Sequence, residues 1–471
     1  MPLIEFIAGI QIFFLLYFIG INTGYLALNV LSFPSLKRYL DAHSMDDLPR
    51  GQSGFEPPVS ILVPAYNEEA TIAASVRSIL QLEYLEFEVI VVNDGAKDGT
   101  LEVLKREFEL VRFPGSYWRR LDSKPIRGIY RSRVHPNLLV IDKENGGKAD
   151  ALNAGINAAR YPYFCGVDAD SILQRDSLRR VVEPFLEDPL TIATGGTVRV
   201  ANGCTVEDGF LVRVGLPTNP LALLQIVEYL RAFLFGRLGW TPINAVLIIS
   251  GAFGVFRKES VVAVGGYRHD TVGEDMELVV RLHRWHRTEG IPYRIHFVPD
   301  PICWTEAPES LRVLKNQRVR WQQGLCESLT MNADLLCHQR GGAAGWIAYP
   351  FMMLFECLGP LIEVAGYVFM TGGFLLGVVS ADAFVVFLLV AIAFGMVLSV
   401  SALLLEELSF HIYTRPRQLL TLFAVVILEN FGYRQLNSVW RLWGLVRWMI
   451  GKKGGWGTMT RTASWQRSNL E

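Results

Sequence analysis

The sequence predicts an α/β domain with a mostly parallel sheet, inserted between N-terminal and C-terminal membrane helices. Three observations carry the prediction. Residues 3–33 are almost wholly apolar, and apolar composition returns from Trp346 onward. From Val59 to Asn332, short apolar runs alternate with helical patterns of ~10–15 residues, the rhythm of a parallel sheet flanked by helices. Within that stretch the run YFCGVDADS (163–171) ends in two carboxylates one residue apart, Asp168 and Asp170. A strand points residues i and i+2 to the same side, and strand ends are where an open α/β sheet places its ligands. Two acidic oxygens aimed at one point suit a hard divalent cation, Mg²⁺ or Mn²⁺, held together with phosphates. An isolated pair of this kind more often caps the next helix, so its neighbours decide.

The chain's 471 residues suffice for two or three domains. Its formal net charge of −1 gives no reason to expect a nucleic-acid partner. Cys165, Cys204, Cys303, Cys326, Cys337 and Cys357 form no CxxC and no Cys/His metal spacing, and read as thiols of a reducing compartment.

Residues 3–33 exceed the ~20 needed to span a bilayer, and no basic n-region or cleavage pattern suggests a signal peptide. Lys37 and Arg38 follow and assign that end to the cytoplasm. Residues 1–40 are thus an N-terminal membrane helix, 41–58 a linker, 59–332 the soluble domain, 333–450 membrane and interfacial helices, and 451–471 a basic tail. Residues 346–376 and 383–405 are spanning candidates. In 419–439, Glu429, Asn430 and Arg434 would sit in mid-membrane. The tail carries Arg447, Lys452, Lys453, Arg461 and Arg467 and belongs in the cytoplasm. That favours two C-terminal spans, with 417–450 an interfacial helix or tilted pair.

Within the soluble part, 59–67 is a strand, 68–80 a helix, and 87–92 a strand ending at Asn93-Asp94-Gly95. Residues 98–110 are helical, 138–141 form a third strand, and GGKADALNAGINAAR (146–160) is a helix opened by glycines. Right-handed crossovers put Asp94, Asp168 and Asp170 in one crevice. Free N–H groups at Gly146-Gly147 beside Lys148 favour a phosphate, although GxxxxGK[ST] is absent. The basic insertion after Val111 (Arg112, Arg119, Arg120, Lys124, Arg127, Arg131, Arg133) reads as a solvated or headgroup-facing loop, with substrate binding the alternative. Residues 221–237 form an amphipathic helix suited to the membrane interface or to the core. Glu274-Asp275 opens another helix, as a dipole cap or as a general base. Gln317-Arg318-Val319-Arg320-Trp321 lies on a helix where arginine could meet a diphosphate and indole a sugar ring, or where a basic face meets the membrane.

These motifs, in this order, resemble the family 2 glycosyltransferases, and within them the membrane-embedded processive synthases of cellulose, chitin, hyaluronan and poly-N-acetylglucosamine. The matching residues are Asp94, Asp168-Ala169-Asp170, Glu274-Asp275 and the Gln317–Trp321 QxxRW element, followed by a membrane tail. The resemblance implies a GT-A-type nucleotide-sugar-binding domain. It implies that Asp94 contacts the uracil or ribose of a UDP-sugar, that Lys148 and Asp168 hold the nucleotide, and that Asp170 with Asp168 holds Mg²⁺ or Mn²⁺. Asp275, with Glu274, is the base; Gln317 and Trp321 are the acceptor floor; Arg318 and Arg320 lie near the diphosphate. Trp456, with Thr458 and Arg461, resembles a gating element over bound UDP.

The implied reaction is inverting transfer from a UDP-sugar, UDP-N-acetylglucosamine by overall likeness, to a growing polysaccharide that is threaded across a bacterial inner membrane. The catalytic domain is then cytoplasmic, and the implied partners are membrane lipid and an accessory export subunit. Single-sugar transfer to a lipid-linked acceptor and a non-catalytic receptor or assembly subunit are the alternatives. No cyclic-dinucleotide-binding domain is expected after the tail. The sequence departs from the pattern at Asn93, at Gly273 (where relatives carry Thr or Ser) and in the spacing of Arg461.

Overall fold

The computed structural model describes residues 2–43, 54–115, 117–207 and 209–452. Trp456, Thr458 and Arg461 lie outside them, as does most of the basic tail.

The strands are β1 Val59–Ala65, β2 Phe87–Asp94, β3 Leu110–Arg112, β4 Ile126–Ser132, β5 Leu138–Lys143, β6 Tyr163–Val167, β7 Ile172–Leu173, β8 Thr191–Val200, β9 Thr205–Glu207, β10 Phe210–Arg213, β11 Phe253–Arg257 and β12 Arg294–Thr305. All but β9 and β10 join one sheet in the order β3-β4-β5-β2-β1-β6-β11-β8-β12-β7. Its centre, β5-β2-β1-β6, is parallel, and almost every residue of β1, β2, β5 and β6 is buried, as a strand covered on both faces requires.

The expectation of a mostly parallel sheet is corrected: the sheet is mixed. Besides the central pairs only β8 and β12 run parallel, whereas β3/β4, β4/β5, β6/β11, β8/β11 and β7/β12 are antiparallel. Hydrophobic period reveals a strand, but its direction depends on the connection that delivers it. The βα alternation that enforces parallel crossovers is broken where β3, β4 and β5 follow one another without a helix, and again after β6. The basic insertion is likewise not all loop. In IRGIYRS, Arg127 and Arg131 point out while Gly128 and Ser132 are buried, and the segment becomes β4 beside β5.

Helix Pro2–His43 begins the chain. Among the described residues, Glu5–Asp41, Ala381–Phe410 and Pro416–Met449 are long and apolar enough to cross a membrane. The expected span at 346–376 falls on a pair, Ala344–Cys357 and Gly359–Leu375, that together is long and apolar enough to cross but is bent by 45°. Gly359-Pro360 explains the break, since proline removes a helix hydrogen bond and clashes with the preceding turn.

A cytoplasmic basic tail predicts an interfacial helix or tilted pair over 417–450, yet Pro416–Met449 meets the length and composition of a span, with a kink at Phe431-Gly432. Its polar groups are matched internally: Arg231 pairs with Glu429 at 2.6 Å, and Arg434 donates to Asn430 at 2.8 Å. Helix Pro220–Tyr229 and its continuation through Leu238 pack between β8 and the candidate spans Ala381–Phe410 and Pro416–Met449, with Ile226, Leu230 and Leu234 buried.

Candidate active site

The parallel strands end at one edge of the sheet, and the acidic residues collect there. β2 closes on Asp94, which is almost wholly buried. Its carboxylate pairs with Lys143 at the end of β5 (2.5 Å) and accepts from the Gly146 and Gly147 N–H groups (3.0 and 2.7 Å). Those glycine donors were expected to be free for a phosphate; Asp94 occupies them. The adjacent register of β2 and β5, Asp94 beside Lys143, brings the carboxylate over the loop. Lys143 also holds Asp150 at 2.5 Å, so one buried cation ties β2, β5 and helix Lys148–Ala158 together.

That loop aims Lys148 into the crevice. Its Nζ lies 2.5 Å from Asp168 Oδ1 and 3.7 Å from Glu274 Oε1, and donates to the Gly251 carbonyl at 3.2 Å. The Gly251 N–H in turn donates to Asp275 Oδ2 at 3.0 Å, and Met276 N–H caps Oδ1 at 2.8 Å. A Cβ on Gly251 would stand 2.9 Å from Lys148 Nζ and 3.3 Å from Asp275 Oδ2, so a larger residue there would push the Lys148 ammonium from its place. Asp168, Lys148, Glu274 and Asp275 thus meet around one backbone position. A small pocket beside them is lined by Lys148, Gly251, Tyr267, Glu274 and Asp275.

The charges shape one another. Burial alone would lower the Lys148 pKa, but Asp168, Glu274 and Asp275 outweigh it and raise it above its ordinary value. Burial pushes Glu274 up to about 7; Lys148 and, more weakly, Arg320 oppose this, while Asp275 adds to it. The buried Cys303 thiol is raised by burial and by the charges of Asp168 and Asp170, so both carboxylates bear on the same spot.

Helix Leu311–Met331 carries Gln317, Arg318, Arg320 and Trp321. Gln317 is buried with Oε1 unpartnered, and Trp321 is half exposed. Arg320 is near enough to act on Glu274. Arg318 is a correction. It pairs with Glu228 at 2.7 Å and stacks on Trp321 at 4.4 Å instead of joining Arg320 at the acidic cluster. Residues two apart on a helix project to different sides, so Arg318 and Arg320 cannot both face the crevice.

Sequence reasoning missed Lys143, Gly251, Tyr267 and Arg237. Arg237 is a half-buried cation stacked on Phe233 at 3.9 Å; desolvation lowers its pKa to about 10, and nearby Asp275 opposes the drop. Lys143 was the one with a signal, a lysine at the end of an apolar strand.

The Glycosyl transferase family 2 model matches residues 60–258, and the Glycosyl transferase family group 2 model matches 163–398, half of the chain. Poly-beta-1,6-N-acetyl-D-glucosamine synthase of Staphylococcus aureus strain COL is 33% identical over 269 residues, covering 56% of this chain and 54% of that protein. The Staphylococcus epidermidis protein of the same name is 30% identical over 267 residues, with the same coverage. The chain therefore spans about half the length of the curated relatives it matches. Among solved structures, the Pyrobaculum calidifontis mannosyltransferase in complex with GDP-Man and Mn2+ aligns with a TM-score of 0.53 at 19% identity, covering 92% of this chain and all of that one. That likeness is one of fold, and it fits a GT-A-like mixed sheet. By the extent of the family match, the chain belongs to the family 2 glycosyltransferases.

Proposed function

We propose that this protein transfers a sugar, with inversion, from a UDP-sugar to the end of a growing polysaccharide, with UDP-N-acetylglucosamine as donor. The observation that carries the reading is the convergence of Lys148, Asp168, Glu274 and Asp275 around Gly251. Lys148 offers a cation to the diphosphate, and Asp94 shapes the nucleotide site by pinning the glycine loop. Asp275 takes the proton of the acceptor hydroxyl as that oxygen bonds to the anomeric carbon. The bond from that carbon to the diphosphate breaks, and its electron pair leaves with UDP. Arg320 steadies the charge, and Gln317 and Trp321 line the acceptor path.

Asp168 and Asp170 suit a divalent ion. Asp168 is 31% exposed, and no group of three or more His, Cys, Asp or Glu among the described residues could hold an ion by itself. Two carboxylates completed by substrate phosphates are the usual setting for Mg²⁺ or Mn²⁺. Such an ion would neutralise the departing diphosphate.

A cavity of about 130 Å³ between the membrane helices supports passage of the product. Glu228, Glu356, Glu363, Arg231, Arg434 and Arg441 face it, and ionisable groups at that depth mark polar pathways. Its charges balance, which suits a neutral glycan. The assignment places the protein in the bacterial inner membrane with the sheet in the cytoplasm, served by lipid and an accessory export subunit.

The test is UDP release by detergent-purified protein from a panel of UDP-sugars with Mg²⁺ or Mn²⁺, with product length measured. One donor giving polymer, with kcat reduced ~10²–10⁴-fold by Asp275→Asn, is expected. Transfer of one sugar alone would replace this reading with the lipid-acceptor one.

A further inference from the structure

Behind the sheet, away from the acidic crevice, the segment between β3 and β4 closes a second cavity, of about 280 Å³. Tyr117, Trp118, Arg120 and Lys258 line it, together with the last turn of helix Lys148–Ala158. The volume approaches the ~300 Å³ at which small-molecule sites begin. Trp118 is 78% exposed, an indole face left to solvent beside two cations.

We propose that this cavity is a nucleotide site, with the base stacked on Trp118 and the phosphate held between Arg120 and Lys258. The walls are built. Arg120 and Leu121 each donate a backbone N–H to Asn157 Oδ1 at 2.9 Å, and Lys258 Nζ donates to the Ala159 carbonyl at 2.6 Å. Arg120 sits 5.7 Å from the Trp118 ring, so aromatic and cation are presented together. Burial and the neighbouring Arg120 hold the Lys258 pKa below its ordinary value, with Glu88 a smaller opposing influence. Two cations lining one cavity favour an anion inside it, and an exposed indole selects anions that carry a flat ring.

The site is separate from the donor crevice. Helix Lys148–Ala158 has 11 residues, about 16 Å at 1.5 Å each, with Lys148 at one end and this cavity at the other. The lining segment also reaches back along that helix. Lys124 N–H donates to Asp150 at 3.1 Å, Asp150 pairs with Lys143, and Lys143 pairs with Asp94. Occupancy of the cavity therefore has a contiguous route to the glycine loop.

A lipid phosphate shares the phosphate chemistry, and the experiment separates the two. Full-length protein in detergent is irradiated with azido-substituted adenosine, guanosine and uridine diphosphates, and labelled peptides are mapped by mass spectrometry. The expected result is labelling of the peptide containing residues 117–120 by at least one probe, with competition by the parent nucleotide. Trp118→Ala and Arg120→Gln each reduce it at least tenfold. Both side chains are exposed, so melting temperature stays at the wild-type value and serves as the folding control. Absence of labelling there by all three probes overturns the proposal, as does labelling unchanged in both variants. Competition by phosphatidylglycerol vesicles as strong as by nucleotide also overturns it, and assigns the cavity to lipid.

Discussion

Gly273 and Gly324 pack backbone to backbone: a Cβ on Gly273 would lie 2.8 Å from the Gly324 Cα, and one on Gly324 2.7 Å from the Gly273 Cα. This contact sets the helix that begins with Glu274-Asp275 against the helix that carries Gln317 to Trp321. It also explains a departure seen in the sequence, since a Thr or Ser at 273 has no space. Thr271 supplies the local hydroxyl instead, accepting from Gly273 N–H at 3.1 Å and donating to Glu327 at 2.8 Å.

Gly324→Ala should therefore destabilise the protein although alanine is the better helix former. The propensity gain is about 0.8–1.0 kcal/mol, and overpacking of a closed contact costs about 1–3 kcal/mol. A lower melting temperature with reduced UDP release is expected. A higher melting temperature would show that the helices separate freely.

Lys143 is fully buried between Asp94 and Asp150, both of them buried too. Lys143→Met leaves two carboxylates without their cation, a change that typically costs about 3–5 kcal/mol. Denaturant unfolding should show a loss of that size. Arg106→Met, at a pair whose arginine is 72% exposed, should change little.

How far the sequence could be read follows from what pattern encodes. VSILVPA and FEVIVV announce buried strands because runs apolar at all but one position need cover on both faces, and β1 and β2 are those strands. The DAD pair is legible because it interrupts such a run. β11, FGVFR, carries the same strand signal, but nothing in it reports that it runs antiparallel to β6. Gly251 looks like any turn glycine; only the approach of Lys148 and Asp275 gives it a role. Arg318 could have been read better, because helix periodicity alone separates it from Arg320.

That separation is testable. Arg318 is 2% exposed, and its partner Glu228 also accepts from Tyr433 at 2.8 Å, next to the membrane helices. Arg318→Met should cost about 3 kcal/mol of stability through the unpaired Glu228 while the donor KM of the folded protein is unchanged. A raised donor KM at an unchanged melting temperature would return Arg318 to the diphosphate.

Glu274 gives the fold a pH dependence of defined sign. Its folded pKa, about 7, lies above the ordinary 4.5, so the folded state binds the extra proton between those values. Stability then falls as pH rises from 4.5 to about 7 and levels off above, a loss on the order of 3 kcal/mol. Melting curves across that window should show the slope in the wild type and a shallower one in Glu274→Gln, because Asp300, pushed up to about 7 by burial, keeps its own share. Arg320 lowers the Glu274 pKa, so Arg320→Met should carry the slope to higher pH. A slope left in place would mean that the Arg320 charge does not act on this carboxyl, and that QxxRW meets the acidic cluster by some other side chain.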